Sequence, residues 1–165
     1  MDSPLGRLYL AEQNQHLCAL TLGEGARDKL FSYLKKAFPD QDIEASKPKL
    51  NAVIQQLNEY FARDRTSFDL NLHLKGTDFQ KQVWDELEKI PYGKMISYGE
   101  LAKRLNNPGG MRAVGAANGQ NPIPIIIPCH RVIAADGSLG GYTGGLDVKR
   151  KLLDLEQQKY TPTLF

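Results

Sequence analysis

The segment 122–128 reads PIPIIIP and leads directly into Cys129. Its three prolines have no backbone N–H to donate and restrict the backbone conformation, so we expect an extended segment. Its isoleucines are apolar and β-branched, which favours burial against neighbouring side chains. The pattern predicts a rigid, buried strand or loop that fixes the orientation of the cysteine. The alternative is a buried strand that ends in an ordinary cysteine.

Two polar residues, His130 and Arg131, follow the cysteine at once. Polar groups beside a buried apolar run are costly unless they have partners. A neighbouring imidazole or cation also lowers the pKa of a thiol, and the thiolate is the nucleophile. Adjacent residues of an extended chain point to opposite sides, so His130 would act on Cys129 through a water or through local bending. The residues therefore predict a reactive thiol.

The chain of 165 residues has no apolar stretch near the roughly 20 residues of a membrane helix, and its first residues do not resemble a signal peptide. Its two cysteines are too few for a disulfide framework. We expect a protein of a reducing compartment, cytoplasmic, or nuclear if the source is eukaryotic. The net charge is only +2, but residues 94–151 hold eight basic and three acidic residues. This excess indicates a surface that faces a polyanion, with a solvated basic face as the alternative.

The first half of the chain is typical of an α/β domain. Alternating apolar residues predict a β-hairpin within residues 1–22, with Cys18 as a buried apolar thiol. Residues 26–38 and 48–62 carry apolar side chains at helical spacing, and residues 68–74 alternate as a half-buried strand does. This half contains no recognisable chemical motif.

The pattern becomes helical after Lys75, so we expect domains at 1–75 and 76–165. Thr77 and Gln80 have the spacing of a capping box that opens a helix through Trp84, which we assign to the core. A second capping box, Ser97 and Glu100, opens a short helix, and a turn at 106–110 leads to a small-faced helix at 111–119. This arrangement is typical of a helix-turn-helix, although many paired helices never touch DNA.

Four segments together resemble the O6-alkylguanine-DNA alkyltransferase family, whose members repair DNA by direct reversal. PCHRV, preceded by NPIPIII and followed by GGYTGG, is similar to the family's active-site region. GTDFQKQVWDELEKIPYGKMISYGELAKRL is similar to the start of its C-terminal domain, and RAVGAANGQN to its recognition helix and asparagine hinge. DSPLGRLYLA is similar to the start of its N-terminal domain. The resemblance implies a ribonuclease-H-like α/β domain followed by a mostly α, winged-helix-like domain.

The resemblance also implies catalytic roles. Cys129 would be the alkyl acceptor, His130 its base through a water, and Glu156 the group that orients the imidazolium. Asn121 would link the recognition helix to the active-site segment by side-chain hydrogen bonds. Tyr98 would donate to guanine N3 and offset the charge that develops as the O6–carbon bond breaks. Without the resemblance, Glu156 passes for a surface carboxylate and Tyr98 for a core tyrosine.

A buried thiol cannot reach an alkyl group inside the duplex, so the guanine must leave the stack. Arg112 would fill the vacated space, its alternatives being a phosphate contact or a surface charge. The Val132 carbonyl would accept from the guanine amine, the Thr143 hydroxyl would bond to O6, and Lys149 would close the loop unless it is merely solvated. Tyr142 and Gly144 belong to the same loop. The small residues expected against the minor groove are Ala113, Gly115, Ala116 and Ala117.

The predicted protein is a single-turnover methyltransferase, since a thioether is not a leaving group. Such a stoichiometric transfer needs neither a metal nor a soluble cofactor. Cys18, His16 and His73 are the only cysteine and histidines in the first half, too few for the usual closed zinc site with four ligands. Its partner is double-stranded DNA containing O6-alkylguanine, with O4-alkylthymine as the alternative substrate and no membrane. We expect a monomer that can assemble along DNA. The alternatives from other classes are a lesion sensor without chemistry, a thiol hydrolase and a transcriptional regulator.

Overall fold

The computed structural model describes residues 1–46 and 48–157. The chain divides into two compact units, Met1–Lys75 and the part from Gly76 onward. The last eight residues of the predicted second domain lie outside the described residues. Within the described residues, no helix is both long and apolar enough to cross a membrane.

The first unit begins with two antiparallel strand pairs, which confirms the predicted hairpin. The longer pair is joined by a two-residue turn at Asn14 and Gln15, both with positive φ (52° and 64°). Such turns match the right-handed twist of the strands. The four strands are β1 (Asp2–Ser3), β2 (Gly6–Arg7), β3 (Tyr9–Gln13) and β4 (His16–Thr21).

Helix α1 (Ala26–Ala37) packs Leu30 and Leu34 against β4, where Cys18 is buried as predicted. The Cys18 thiol donates to the Ala11 carbonyl at 3.3 Å, and burial raises its pKa to about 11. Phe31 belongs to the segment 26–38, whose apolar side chains have helical spacing, but it is 41% exposed. The guanidinium of Arg27 lies 5.2 Å from the centre of its ring, a cation–π contact at the surface.

Helix α2 (Asn51–Ala62) follows a 3₁₀ turn at Pro48–Leu50. The strand predicted at residues 68–74 is wrong in extent, because only Leu72 pairs, in a single parallel bridge with Leu17. The side chain of Gln56 in α2 both accepts from the Asp69 amide and donates to its carbonyl, each at 2.8 Å. These two bonds replace the hydrogen bonds that a neighbouring strand would make.

The second unit begins with α3, whose N-terminus has the predicted capping box between Thr77 and Gln80. Trp84 is buried, as predicted, and its indole N–H donates to the Ala117 carbonyl at 2.9 Å. This bond ties α3 to the helix-turn-helix. The elements of the unit are α3 (Asp78–Glu88), β5 (Ile96–Ser97), α4 (Tyr98–Arg104), α5 (Met111–Gly119), β6 (Val132–Ile133) and α6 (Leu146–Glu156).

Helices α4 and α5 form the predicted helix-turn-helix and pack against each other. The Ser97 hydroxyl caps α4 by accepting from the Glu100 amide at 3.1 Å. The predicted second capping box is only half formed, because the Glu100 carboxylate binds Arg104 at 3.2 Å. Strands β5 and β6 pair in parallel, Ile96 opposite Val132, which places the residue after the Cys-His-Arg run beside the start of α4.

Candidate active site

The apolar segment that leads to Cys129 is buried but not extended. The Ile127 amide donates back to the Ile123 carbonyl at 3.0 Å, and Ile125 has a φ of 77°. A β-branched residue with left-handed backbone is strained, and such strain concentrates at functional sites. The prediction of an extended segment was therefore wrong. Buried isoleucines fold it into a tight turn, and a 3₁₀ helix, Cys129–Arg131, follows.

The side chain of Asn121 holds this turn closed. Its Nδ2 donates to the Ile127 carbonyl at 2.8 Å, and its Oδ1 accepts from the Ile123 amide at 2.9 Å. Asn121 follows the last turn of α5, so one side chain joins that helix to the segment carrying Cys129. These are the kind of hydrogen bonds expected of Asn121 from the sequence.

Burial dominates the chemistry of the Cys129 thiol. Cys129 is only 5% exposed, and burial raises the pKa of its thiol to about 11. A hydrogen bond from Asn121 and the charge of Lys149 act in the opposite direction but are outweighed. The lowered pKa that its neighbours suggested is thus not found, because desolvation of the thiolate exceeds their attraction. A base must remove the proton when the cysteine reacts.

His130, the next residue along the chain, is the candidate for that base. Its ring is fully buried, and Nε2 lies 2.8 Å from Oε1 of Glu156. An ionised carboxylate can only accept, so Nε2 carries the hydrogen and Nδ1 holds the free lone pair. Nδ1 is buried and forms no hydrogen bond within the described part of the chain. Burial lowers the pKa of His130, helped by Arg131 and Lys149 and opposed by Glu156.

Glu156, at the end of α6, is 4% exposed, so its alternative assignment as a surface carboxylate is wrong. Besides His130 it binds Arg131, with Nε at 2.9 Å from Oε2 and Nη2 at 2.9 Å from Oε1, and it accepts from the Gly93 amide at 3.0 Å. Burial alone would raise the pKa of Glu156. The hydrogen bonds and charges of His130 and Arg131 outweigh it and hold that pKa well below its usual range.

Lys149 is also fully buried, so its alternative as a solvated lysine is wrong. Its ammonium donates to the carbonyls of Val132 at 2.6 Å, of Gly141 at 3.3 Å and of Leu139. Burial lowers the pKa of Lys149 to about 8, against the opposing effect of Cys129. These bonds anchor the 138–145 loop to β6. They also show that the Val132 carbonyl already accepts one hydrogen bond.

Replacing Lys149 with methionine should therefore loosen the 138–145 loop. Buried carbonyls left without donors cost about 1–3 kcal/mol of unfolding free energy. We expect faster amide hydrogen exchange confined to that loop, together with a stability loss in this range by chemical denaturation. Lys151→Met is the matched control, since Lys151 is exposed on the same helix. Equal exchange in the two variants would contradict the anchoring role.

Tyr98 begins α4 and is half-buried between α5 and the loop. A Cβ at Gly140 would lie 3.1 Å from its ring, and one at Gly115 would lie 3.8 Å away. Burial raises the pKa of Tyr98, and the neighbouring Cys129 adds to this. Burial of the Tyr142 hydroxyl raises its pKa well above the ordinary value, and the charge and hydrogen bonding of the nearby Cys129 add to this. Both phenols thus lie near the thiol.

The first turn of α5 exposes Arg112 and Ala113 to solvent. Ala116 is exposed too, but Ala117 is 3% exposed and belongs to the core, so its placement on the outer face was wrong. The Thr143 hydroxyl donates to the Gly119 carbonyl at 2.8 Å, which ties the loop to the end of α5. Gly144, beside it in the loop, is half-buried.

Asn118 was missed by the sequence reasoning. It is 4% exposed, its Oδ1 has no partner in the described part of the chain, and its hydrogen bonding partly offsets the rise in the pKa of Tyr98. Its spacing from Val114 and Ala117 places it on the buried face of α5, a signal the sequence contained. The same signal exists in α6, where an apolar stripe includes two charged residues: Lys149, Leu152, Leu153 and Glu156.

Two family models match the chain over almost its whole length. The model described as "6-O-methylguanine DNA methyltransferase, ribonuclease-like domain" matches residues 1–74. The model described as "6-O-methylguanine DNA methyltransferase, DNA binding domain" matches residues 78–158.

Individual relatives are similar along nine-tenths or more of their lengths. The methylated-DNA–protein-cysteine methyltransferase of Mycobacterium bovis is 46% identical over 159 residues, which cover 96% of this chain and 91% of the relative. The protein of the same name from Methanosarcina acetivorans is 44% identical over 155 residues, 94% of each chain. A crystal structure of Mycobacterium tuberculosis OGT in complex with DNA matches with a TM-score of 0.85 and 44% identity, covering 98% of this chain and 93% of that chain.

Proposed function

Because the chain belongs to the 6-O-methylguanine DNA methyltransferase family, we propose that it repairs DNA by moving an alkyl group from O6 of guanine onto the sulfur of Cys129. The observation that carries this proposal is the buried pair of His130 and Glu156 directly after the buried Cys129, in the same unit as a helix-turn-helix that exposes Arg112. O4 of thymine is the alternative substrate atom. The protein would act in the compartment that holds the DNA, which is the cytoplasm or, in a eukaryote, the nucleus.

The proposed reaction moves two protons and one alkyl group between residues of the site and the guanine. The thiol proton passes through a water to Nδ1 of His130, the nitrogen that holds the free lone pair. The sulfur attacks the alkyl carbon, so that an S–C bond forms as the C–O6 bond breaks and guanine keeps the electron pair. Tyr98 donates a proton to guanine N3 and regains one from the imidazolium, which Glu156 stabilises meanwhile. The products are neutral guanine and a thioether.

The guanine must be flipped out of the duplex to reach a thiol that is 5% exposed. We assign Arg112, Ala113 and Gly115 of α5 to the DNA side, with Arg112 entering the vacated stack. Asn121 keeps the active-site turn in register with that helix.

The 138–145 loop would cover the flipped base, with Tyr142 and Gly144 on its inner side. The Val132 carbonyl would accept from the guanine amine with its second lone pair, since Lys149 uses the first. Thr143 must exchange its bond to Gly119 for one to O6.

Each molecule would act once. A thioether is not a leaving group under cellular conditions, and both acceptor and base are side chains of the chain itself. The reaction as proposed therefore uses neither a metal nor a soluble cofactor. We propose a monomer that binds double-stranded DNA containing O6-alkylguanine and can assemble along it.

Peptide mass spectrometry tests this function directly. The protein is mixed with duplex DNA containing one O6-methylguanine, with unmodified duplex as control. We expect one added methylene on the peptide that contains Cys129, reaching one per protein molecule and no more. No mass gain with tight lesion-selective binding would instead identify a lesion sensor. If the protein shows no mass gain and no binding to the lesion, Cys129 is an ordinary buried thiol.

Arg112→Ala should slow repair of the lesion in duplex DNA by about tenfold, which corresponds to about 1.4 kcal/mol of lost stabilisation for the extruded state. Its effect on the free O6-alkylguanine base should be much smaller, because a free base needs no extrusion. Arg27→Ala, which removes an exposed arginine from the first unit, controls for net charge. Single-turnover rates on both substrates decide the matter, and equal losses on the two would exclude the proposed role of Arg112.

A further inference from the structure

Arg131 is a buried cation for which the proposed mechanism has no use. It is 6% exposed, and its guanidinium spans Glu156 with two hydrogen bonds of 2.9 Å. A third, from Nη1 to the Ile90 carbonyl, measures 2.6 Å and ties the guanidinium to the segment that follows α3. Its guanidinium carbon lies 5.8 Å from the centre of the Tyr92 ring. Every one of these contacts holds the guanidinium fixed against the carboxylate that also receives His130.

His130 and Arg131 share one carboxylate oxygen of Glu156. Oε1 of Glu156 lies 2.8 Å from Nε2 of His130 and 2.9 Å from Nη2 of Arg131. A buried carboxylate with no other partner would attract a proton to the imidazole, because an ion pair in a poorly solvated site is far stronger than in water. A base that is already protonated cannot accept the thiol proton. The carboxylate must therefore orient the ring without charging it.

We propose that Arg131 is a positioning residue for alkyl transfer: by neutralising Glu156 it keeps His130 in the neutral form that has its hydrogen on Nε2 and its lone pair on Nδ1. This inference rests on the proposed function, since it assigns His130 the role of base.

The charges around His130 support this assignment. Two cations, Arg131 and Lys149, and one anion, Glu156, act on the ring, and the neighbouring Cys129 is an uncharged thiol at neutral pH. A resting imidazolium would be a third cation beside one carboxylate, all of them buried. When the thiol proton moves to His130, a thiolate forms at the same time, so the net charge of the site stays constant. The lowered pKa of His130 has the direction that this arrangement requires.

The first test is nitrogen-15 NMR of His130 in the unmodified protein. We expect the shifts of a neutral ring protonated on Nε2, with no titration through pH 6.5, the ordinary pKa of histidine. An imidazolium at pH 7 would overturn the proposal. This result does not depend on whether any alkyl group is transferred, so it separates failure of the proposal from failure of the proposed function.

The second test compares Arg131→Met with Arg131→Lys, in NMR titration and in the pH profile of the single-turnover transfer rate. In Arg131→Met the unneutralised Glu156 should raise the titration midpoint of His130. The transfer rate should then fall about tenfold for each pH unit below that midpoint, whereas the wild-type rate stays level. Arg131→Lys keeps the positive charge and should restore the level profile, although it cannot form the paired hydrogen bonds.

Arg104→Met is the matched control, because Arg104 pairs with Glu100 and Glu86 in the same unit but is 33% exposed. It should leave the titration of His130 unchanged. If both Arg131 variants slow transfer equally at every pH while His130 titrates as in the wild type, Arg131 merely supports the fold and the proposal is wrong. If Arg131→Met does not fold, the lysine variant and the unmodified protein still decide the outcome.

Discussion

Glu156→Ala should destabilise the second unit by about 3–5 kcal/mol, the usual consequence of removing one partner from a buried ion pair. The substitution leaves the buried guanidinium of Arg131 without its counter-ion and removes the acceptor for the Gly93 amide. Gly93 has a φ of 72°, so this tight turn loses one of the contacts that hold it. Urea denaturation monitored by the fluorescence of Trp84, which lies in the same unit, measures the loss.

Glu100→Ala serves as the control, because the Glu100–Arg104 pair is on the surface and such pairs contribute about 0–1 kcal/mol. A loss in Glu156→Ala no larger than in this control would contradict the assigned ion pair. The stability difference between wild type and Glu156→Ala should also depend on pH. The pKa of Glu156 is lower in the folded than in the unfolded protein, so its contribution is complete above about pH 4.3 and is lost as the pH falls further.

Cys129→Ser should abolish alkyl transfer altogether while leaving DNA binding intact. A serine hydroxyl is a far weaker nucleophile than a thiol, and His130 cannot activate it as it would a sulfur. The exposed face of α5, which we assign to DNA, is not altered by the change. Transfer is followed by mass spectrometry, and binding by fluorescence anisotropy with a lesion-containing duplex.

The other cysteine provides the matched control. Cys18 is 2% exposed with a thiol pKa of about 11, much like Cys129, but its sulfur donates to a backbone carbonyl in the first unit. Cys18→Ser should transfer at the wild-type rate. Because the two thiols are equally buried, a difference between these variants comes from the surroundings of Cys129. Residual transfer by a Cys129→Ala protein would refute its assignment as the acceptor.

Local signals predicted local structure well. The capping box of Thr77 and Gln80 opens α3 where expected, and α5 spans the predicted residues 111–119. Both depend on residues within one or two turns of each other. The alternation of apolar residues in 68–74 predicted a longer strand than the structure contains. An alternating pattern shows only which side chains are apolar. Whether that segment finds a strand partner was decided by Gln56, which lies in another element.

The family resemblance named the residues of the candidate site, whereas the chemistry of the residues alone indicated only some of them. PCHRV showed a buried thiol beside polar groups that need partners. The partner itself, Glu156, is 26 residues away along the chain from His130. The pKa of Cys129 is raised, whereas its neighbours in the sequence predicted a lowered one. The difference arises because the cost of desolvation depends on all the elements that pack around the sulfur. Burial by residues distant in the sequence is therefore the part of the site that local sequence patterns do not predict.

Each molecule reacts only once, so its cysteine must stay unmodified until it meets a lesion. The deep burial of Cys129 protects it during that time. Because burial raises the pKa of this thiol to about 11, the sulfur is almost entirely protonated at pH 7. Oxidation by peroxides and capping by glutathione both begin from an accessible thiolate. A resting molecule is therefore preserved against the ordinary electrophiles and oxidants of its compartment. Its reactivity develops only when a flipped base displaces solvent and brings the alkyl carbon against the sulfur.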